Sequence, residues 1–240
     1  MISFIIPTLN EDSVLEKTIK NLRRLTIVPM EIIVSDGRST DRTQEIARQY
    51  ADRLEIYAGS ERQTIANGRN LGARAAKGEF LVFHDADVVI LDPDAFFTRA
   101  LEIFKADPKL AAITVPQRVQ KEIATRADRV IYSIVNSIHR ASNNLFRLGS
   151  SGGEFQMIKK EAFEILGGYN EQLVTFEDND MFRRLAKRFK TRFAPDLPVY
   201  HPGRRSRKLG WPRLLGQWIL NALSAMIFKK AITKEWKPIR

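Results

Sequence analysis

Residues 68–88, GRNLGARAAKGEFLVFHDADV, run from a helix into a strand and finish on two acids. Thr64–Ala76 predicts a helix, closed by Gly78. Phe80–Phe83 (FLVF) is a short, wholly apolar run, the pattern of a strand buried on both faces. It stops at His84-Asp85-Ala86-Asp87. A helix feeding a doubly buried strand is the building unit of a parallel sheet, and such sheets bind ligands beyond the carboxyl ends of their strands. The acids therefore fall where a ligand is expected.

The same rhythm extends outward in both directions. Ile2–Pro7 (ISFIIP), Glu31–Ser35 (EIIVS), Leu54–Ala58 and Ala111–Val115 are expected strands. Between them lie expected helices. Asn10 is placed to cap the first, whose apolar positions Val14, Leu15, Ile19, Leu22 and Leu25 repeat at helical spacing. Others run from Thr40-Asp41 to Tyr50 and over Pro93–Ala106. Beyond residue 116 the alternation stops. Arg126–Leu148 predicts one long amphipathic helix with Val130, Ile131, Ile134, Val135 and Ile138 on one side. A strand at Phe155–Ile158, a helix ending at Gly167-Gly168 and a helix over Asp178–Arg188 complete an α/β domain with a mostly parallel, Rossmann-like sheet.

Thr8 and Asn10 follow the first strand, Asp36 the second, and Asp85 and Asp87 the fourth. Three aspartates on one rim repel one another without a cation, and Asp-x-Asp offers hard oxygens suited to Mg²⁺ or Mn²⁺ carrying a phosphate-bearing substrate. Each Asp is also an ordinary strand-ending turn residue, and for Asp36 beside Gly37 the two readings are evenly matched. Neither a P-loop nor a G-x-G-x-x-G follows the first strand, so a diphosphate would be held by metal and by cationic side chains such as Arg69. Glu177-Asp178 opens a helix, where acids commonly cap. His201, in VYHPG, is one of three histidines and a candidate to complete an Asp/His metal shell.

The 240-residue chain has no cysteine, which excludes disulfides, thiolate metal sites and a cysteine nucleophile. The opening MISFIIPTLNED lacks a basic n-region and a long apolar segment, so no cleavable secretory signal is expected. Net charge is +11, of which residues 201–240 carry +9 and the rest only +2. Within that tail Leu214, Leu215, Trp218, Ile219, Ala222, Leu223, Met226 and Ile227 recur at helical spacing. Two placements suit such a helix: docked on the domain, or lying on an anionic membrane where apolar burial and basic charge act together. The expectation is a cytoplasmic protein, peripheral at the cytoplasmic face of the membrane.

FIIPTLNED, VSDGRSTDRT, GRNLGARAAKGEFLVFHDADV and GGYNEQLVTFEDNDMFRRL, in this order, resemble the motifs of the family-two, inverting glycosyltransferases of GT-A fold. The resemblance covers residues 1–203, divided into a nucleotide-sugar-binding half (1–116) and an acceptor and catalytic half (117–203), with 204–240 as a basic extension. It implies transfer of a sugar from a nucleotide-sugar, usually a UDP-sugar, with a divalent cation, Mn²⁺ or Mg²⁺. Carried over by position, Pro7, Thr8 and Asn10 would line the nucleoside pocket with Glu11 nearby, Asp36 would contact the base, and Arg69 would approach the nucleotide. Asp87 would ligate the metal, Asp85 would face ribose or metal-bound water, and His201 would be a third metal ligand. Asp178 would be the general base, preceded by Glu177, a role the capping reading does not supply.

The Q-x-x-R-W signature of processive synthases is absent, so a single-sugar transfer is expected, to a lipid-linked or cell-envelope glycan acceptor. The rival readings are an inactive, nucleotide-binding relative, a nucleotidyltransferase and a nucleic-acid-binding module. The nucleotidyltransferase lacks its glycine- and lysine-rich loop. A nucleic-acid partner would leave the aspartates unexplained, and none is expected.

Overall fold

The computed structural model describes residues 1–228. Seven strands form the main sheet: β1 (Ile2–Thr8), β2 (Met30–Asp36), β3 (Arg53–Ile56), β4 (Phe80–His84), β5 (Leu110–Thr114), β7 (Phe155–Lys159) and β8 (Lys190–Phe193), in the order β3-β2-β1-β4-β7-β5-β8. A two-stranded parallel pair joins β6 (Gln117–Val119) to β9 (Val199–His201). The neighbours of β1 and β2 are parallel, as expected from the βαβ rhythm. β7 is antiparallel to both β4 and β5, so it delivers its N-terminal end to the rim where β4 ends.

Alternate residues on the buried strands face opposite sides of the sheet, and each side is covered. Phe4, Ile6 and Val82 pack with helices α1 (Leu15–Leu22), α2 (Thr43–Tyr50) and α4 (Pro93–Ala106), where Phe4 meets Phe97 edge-on at 5.3 Å. Ile5, Leu81 and Phe83 pack with α3 (Ile65–Ala75), α6 (Lys160–Ile165) and α7 (Glu177–Ala186). Each such fully buried side chain contributes roughly 1.5–3 kcal/mol.

Several local expectations are corrected. Asn10 does not cap α1, whose N-cap position is Val14 without a side-chain bond. Asn10 instead takes a left-handed φ of 54°, and its Oδ1 accepts from the Thr40 N–H at 2.7 Å, tying the loop after β1 to the loop after β2. α5 (Arg126–Arg140) begins as expected with a Thr125 capping box, but passes into a wider π-helical turn at Ala141–Leu145. Its apolar side is not buried. Val130, Ile134 and Ile138 are 56–58% exposed, while the helix docks through Tyr132 and His139. After β9 come α8 (Arg204–Leu209) and α9 (Trp211–Phe228). α9 contains the expected apolar repeat; residues 229–240 of the expected basic extension lie outside the described residues. Among the described residues no helix is long and apolar enough to cross a membrane.

Candidate functional site

A cleft of about 300 Å³ opens beyond the carboxyl ends of β1 and β4. Pro7, Thr8 and Glu11 form one wall, Asp85 and Asp87 the floor, and His201, Arg204 and Arg205 the facing wall, with Gln63 and Glu154 at its sides. Of the residues expected at the site, Pro7, Thr8, Glu11, Asp85, Asp87 and His201 line this cleft. Asn10, Asp36, Arg69, Glu177 and Asp178 stand behind its wall.

Asp36 is fully buried and its oxygens are engaged. It accepts from Thr8 Oγ1 at 3.0 Å, from the Ser39 N–H at 2.8 Å and from Gln44 Nε2 at 2.9 Å. The turn-forming reading describes this arrangement, with the added result that Asp36 orients Thr8 on the cleft wall. Arg69 is likewise not presented to the cleft. It is 1% exposed, donates from Nη1 to Glu177 Oε1 and from Nη2 to the Gly153 carbonyl, both at 2.8 Å, and reaches Asp85 Oδ1 at 3.5 Å. Its guanidinium also lies over the Tyr169 ring, 5.2 Å from the centroid. In this arrangement Arg69 does not line the cleft; it is a buried brace joining the rim of β4 to the start of α7. Burial opposes its charge, but Tyr169 and the carboxylates of Glu177, Asp85 and Asp178 outweigh that and hold its pKa above the ordinary value.

α7 starts from Phe176, held at a left-handed φ of 71°, and no side chain caps it. Asp178 Oδ1 accepts from its neighbour's Asn179 N–H at 2.7 Å. Burial raises the pKa of both Glu177 and Asp178, against the pull of Arg69. The Gly152-Gly153 turn serves the protein itself. A Cβ on Gly153 would sit 3.0 Å from Arg69 Nη2 and 3.4 Å from Asp178 Oδ2, and one on Gly152 would strike the Gln117 amide.

Sequence reasoning passed over four side chains at this site. Glu154, just before β7, is carried to the rim by the antiparallel strand; burial, then Asp178 and Asp87, push its carboxyl up to about 7. Asp85 is pushed to about 7 by burial, against Arg69. Gln63 packs between Gly37 and Gly68, and its buried Nε2 has no partner among the described residues. Arg204 donates from Nε to Asp87 Oδ2 at 2.7 Å and from Nη1 to Glu11 Oε2 at 2.9 Å. Arg205 also lines the cleft, its pKa lowered to about 10 by burial. Only the basic character of residues 204–208 hinted at these last two; the partners of Arg204 lie 117 and 193 residues away.

His201 lies on β9 beside Tyr132, ring centres 5.0 Å apart. Burial lowers its pKa to about 4, so the ring is neutral near pH 7. Its Nδ1 accepts from the Gly203 N–H at 3.1 Å, which leaves the proton on Nε2. That buried Nε2 has no partner among the described residues, so the ring offers the cleft an N–H rather than a lone pair. In this arrangement the ring is a hydrogen-bond donor, and ligation through Nε2 would require that nitrogen to lose its proton. Among the described residues no three acids or histidines gather closely enough to enclose a metal. A hard cation bound with a diphosphate needs only one or two carboxylates, the remaining positions being filled by water and phosphate oxygens. Asp85 and Asp87 fit that requirement.

The sequence matches the glycosyl transferase family 2 profile over residues 3–167, which contain β1, β4 and both aspartates of the cleft floor. It is 29% identical over 184 residues to a poly-beta-1,6-N-acetyl-D-glucosamine synthase of Staphylococcus epidermidis, covering 72% of this chain and 43% of that protein. Over 94 residues it is 42% identical to validoxylamine A glucosyltransferase of Streptomyces hygroscopicus subsp. limoneus, covering 37% of this chain and 21% of that one. The chain thus spans less than half the length of these relatives. Among solved structures, a mannosyltransferase of Pyrobaculum calidifontis in complex with GDP-Man and Mn²⁺ superposes with a TM-score of 0.75 at 22% identity, over 95% of this chain and 64% of that one. Glucosyl-3-phosphoglycerate synthase of Mycobacterium tuberculosis, in complex with Mn²⁺, UDP and glucosyl-3-phosphoglycerate, gives 0.60 at 19% identity, over 95% and 79%. The sheet order, the acids ending β4 and the profile match agree: the chain belongs to glycosyl transferase family 2 and has the GT-A fold.

Proposed function

We propose that the protein transfers a single sugar, with inversion at the anomeric carbon, from a nucleotide-sugar to an acceptor hydroxyl. A UDP-sugar is the first donor to test. One observation carries the reading: Asp85 and Asp87 line one cleft with Gln63 and His201, whose buried Nε2 atoms have no partner among the described residues. Such donors suit the oxygens of a nucleoside diphosphate. Pro7, Thr8 and Glu11 would line the nucleoside end, with Asn10 and Asp36 bracing that wall from behind.

Asp87 and Asp85 would hold a divalent cation, Mn²⁺ or Mg²⁺, which when bound supplies positive charge to the departing diphosphate. Asp178 would accept the proton of the attacking hydroxyl, its raised pKa suiting a base that works near neutrality. Glu177 and Arg69 would hold that carboxylate in place. A second reading exchanges one role: Glu154 lines the cleft and Asp178 does not, so Glu154 is the alternative base. Asp178→Asn and Glu154→Gln separate the two, since removing the base lowers kcat by about 10²–10⁴. The absence of Q-x-x-R-W supports single transfer over polymerisation. A lipid-linked or envelope glycan is the proposed acceptor, met at the cytoplasmic face of an anionic membrane to which residues 204–240 attach.

The test is calorimetric titration of UDP, GDP and dTDP, with and without Mn²⁺, on wild type and Asp87→Ala. Metal-dependent binding of one nucleotide, lost in the variant, is the expected result. No binding of any nucleotide under any condition overturns the reading.

A further inference from the structure

A second hollow, about 610 Å³, shares Tyr132 with the cleft. Arg118, Lys121, Arg129 and Arg140 line it, and all four are exposed. None makes a side-chain hydrogen bond or ion pair among the described residues. Some surface cations elsewhere are paired, as Arg23 with Asp52, Arg99 with Asp196 and Lys190 with Asp107; what sets these four apart is that they surround one hollow. The one acid in the groove wall, Asp128, is buried and already accepts from the Thr125 N–H, Thr125 Oγ1 and Trp211 Nε1. Glu122 shares a turn with Lys121 but is not part of the wall. Four like charges around one concavity repel one another unless an anion joins them. The body of the protein is close to neutral, so this concentration is local rather than a consequence of composition.

The helix that supplies Arg129 and Arg140 also carries the outward apolar row. Val130, Ile134 and Ile138 are 58%, 56% and 56% exposed, and beyond the π-helical turn Leu145, Phe146 and Leu148 are 62–70% exposed. Residues 129, 133, 137 and 140 face the groove, and 130, 134 and 138 follow the first three by about 100° around the helix. Cationic groove and apolar row therefore lie side by side on α5. An anionic head joined to a hydrocarbon chain matches both at once, whereas a soluble phosphate uses only the groove. Tyr132 belongs to both hollows, so a group held in the groove is one side chain away from the aspartates of the cleft.

We propose that this surface binds a lipid phosphate, with its phosphate among Arg118, Lys121, Arg129 and Arg140 and its hydrocarbon along Val130, Ile134 and Ile138. Resting on the transfer reading above, it is the seat of a lipid-linked acceptor whose hydroxyl extends past Tyr132 into the cleft. The site differs from the basic C-terminal segment and works without it.

The experiment is calorimetric titration of the full chain, without nucleotide, by decyl phosphate below its micellar concentration, by decanol and by inorganic phosphate. Decyl phosphate is expected to bind at least about tenfold more tightly than inorganic phosphate, a modest share of the burial energy of a ten-carbon chain. Arg118→Gln/Arg140→Gln and Ile134→Ser/Ile138→Ser should each weaken it by about fivefold or more, since each removes one of the two contributions. All four positions are surface residues, and unchanged melting temperatures and unchanged nucleotide titrations show that the variants are folded. Equal binding of inorganic and decyl phosphate overturns the proposal in favour of a soluble phosphorylated ligand. Absence of decyl phosphate binding, or binding indifferent to both variant pairs, also overturns it. Nucleotide titrations score the donor reading separately, so the two failures are distinguishable.

Discussion

Arg69 has no contact with solvent and little freedom to move. Its Nη1 and Nη2 are committed to Glu177 and Gly153, its edge to Asp85, its face to Tyr169. Removing the charge leaves the buried Glu177 and the half-buried Asp178 and Asp85 without their counter-ion, a situation that costs about 3–5 kcal/mol when a buried pair is broken. Arg69→Met is therefore expected to lower unfolding free energy on that scale in urea titration. Arg69→Lys, which keeps the charge but cannot make the parallel contacts of the guanidinium fork, should be intermediate. Glu154 gives a different test. Its folded pKa, about 7, lies above its unfolded value, so the stability it allows is fully present below the unfolded pKa and is lost as pH rises through about 7. Relative to wild type, Glu154→Gln should gain melting temperature between pH 5 and pH 8 in metal-free buffer; a pH-independent difference would show that the carboxyl is not strained by burial. The aspartates of the floor were legible because a buried strand must end somewhere, and in an open α/β sheet that end is the binding rim. Arg204, Gln63 and Glu154 were not, because nothing local in their segments distinguishes them from solvated polar residues. Asn10 was misread for the opposite reason: its local signal was strong, but a bond to Thr40 from another loop outcompeted the cap.

At the scale of elements, the parallel half of the sheet followed from alternation of buried strands with capped helices, and observed boundaries differ from expectation by one or two residues at most strand ends. β6, β8 and β9 are short and mixed in composition, and their pairing is set by neighbours far along the chain. α5 shows the sharper limit. Periodicity says that a helix has two faces but not which one meets the core, and here Tyr132, Asp128 and His139 go inward while the isoleucines stay outside. The segment after the π-helical turn is fixed by Gly149, at φ 72°, where an added Cβ would lie 2.1 Å from the Phe182 carbonyl oxygen. That neighbour is backbone of α7 and cannot rotate away. Gly149→Ala should therefore destabilise by more than the roughly 1 kcal/mol of a left-handed conformation alone, and should shift Asp178 with α7. A loss of both melting temperature and kcat is expected, with nucleotide affinity largely retained because β1 and β4 are untouched. Unchanged kcat would separate α7 from the chemistry.

At the scale of the whole molecule, the C-terminal helices turn back to the cleft. Leu214 is 1% exposed, Trp211 packs edge-on to Tyr132 at 5.6 Å, and Arg204 joins Glu11 to Asp87. Composition marked residues after 203 as a basic extension, yet their first part forms a wall of the cleft, because charge counting does not register that two acids at the rim supply the partners. Arg204 places a positive charge between two carboxylates, one of which is the proposed principal metal ligand. On the proposed metal role, a divalent cation would compete with this guanidinium for Asp87. Replacing Arg204 by Gln frees both carboxylates, so Mn²⁺ should bind the nucleotide-free protein more tightly by ~5-fold or more, on the scale of one partly buried ion pair. Electron paramagnetic resonance of unbound Mn²⁺ measures this without turnover. If loading displaces Arg204, α8 and α9 move with it, and the fluorescence of Trp211 and Trp218, edge-on at 5.9 Å, should respond to Mn²⁺ with nucleotide in wild type. In Arg204→Gln the response to Mn²⁺ should be much reduced, because the helices are no longer tied to the metal carboxylates. Equal Mn²⁺ affinity and an equal fluorescence change in the two proteins would mean that the bridge from α8 to the cleft floor persists when metal is bound.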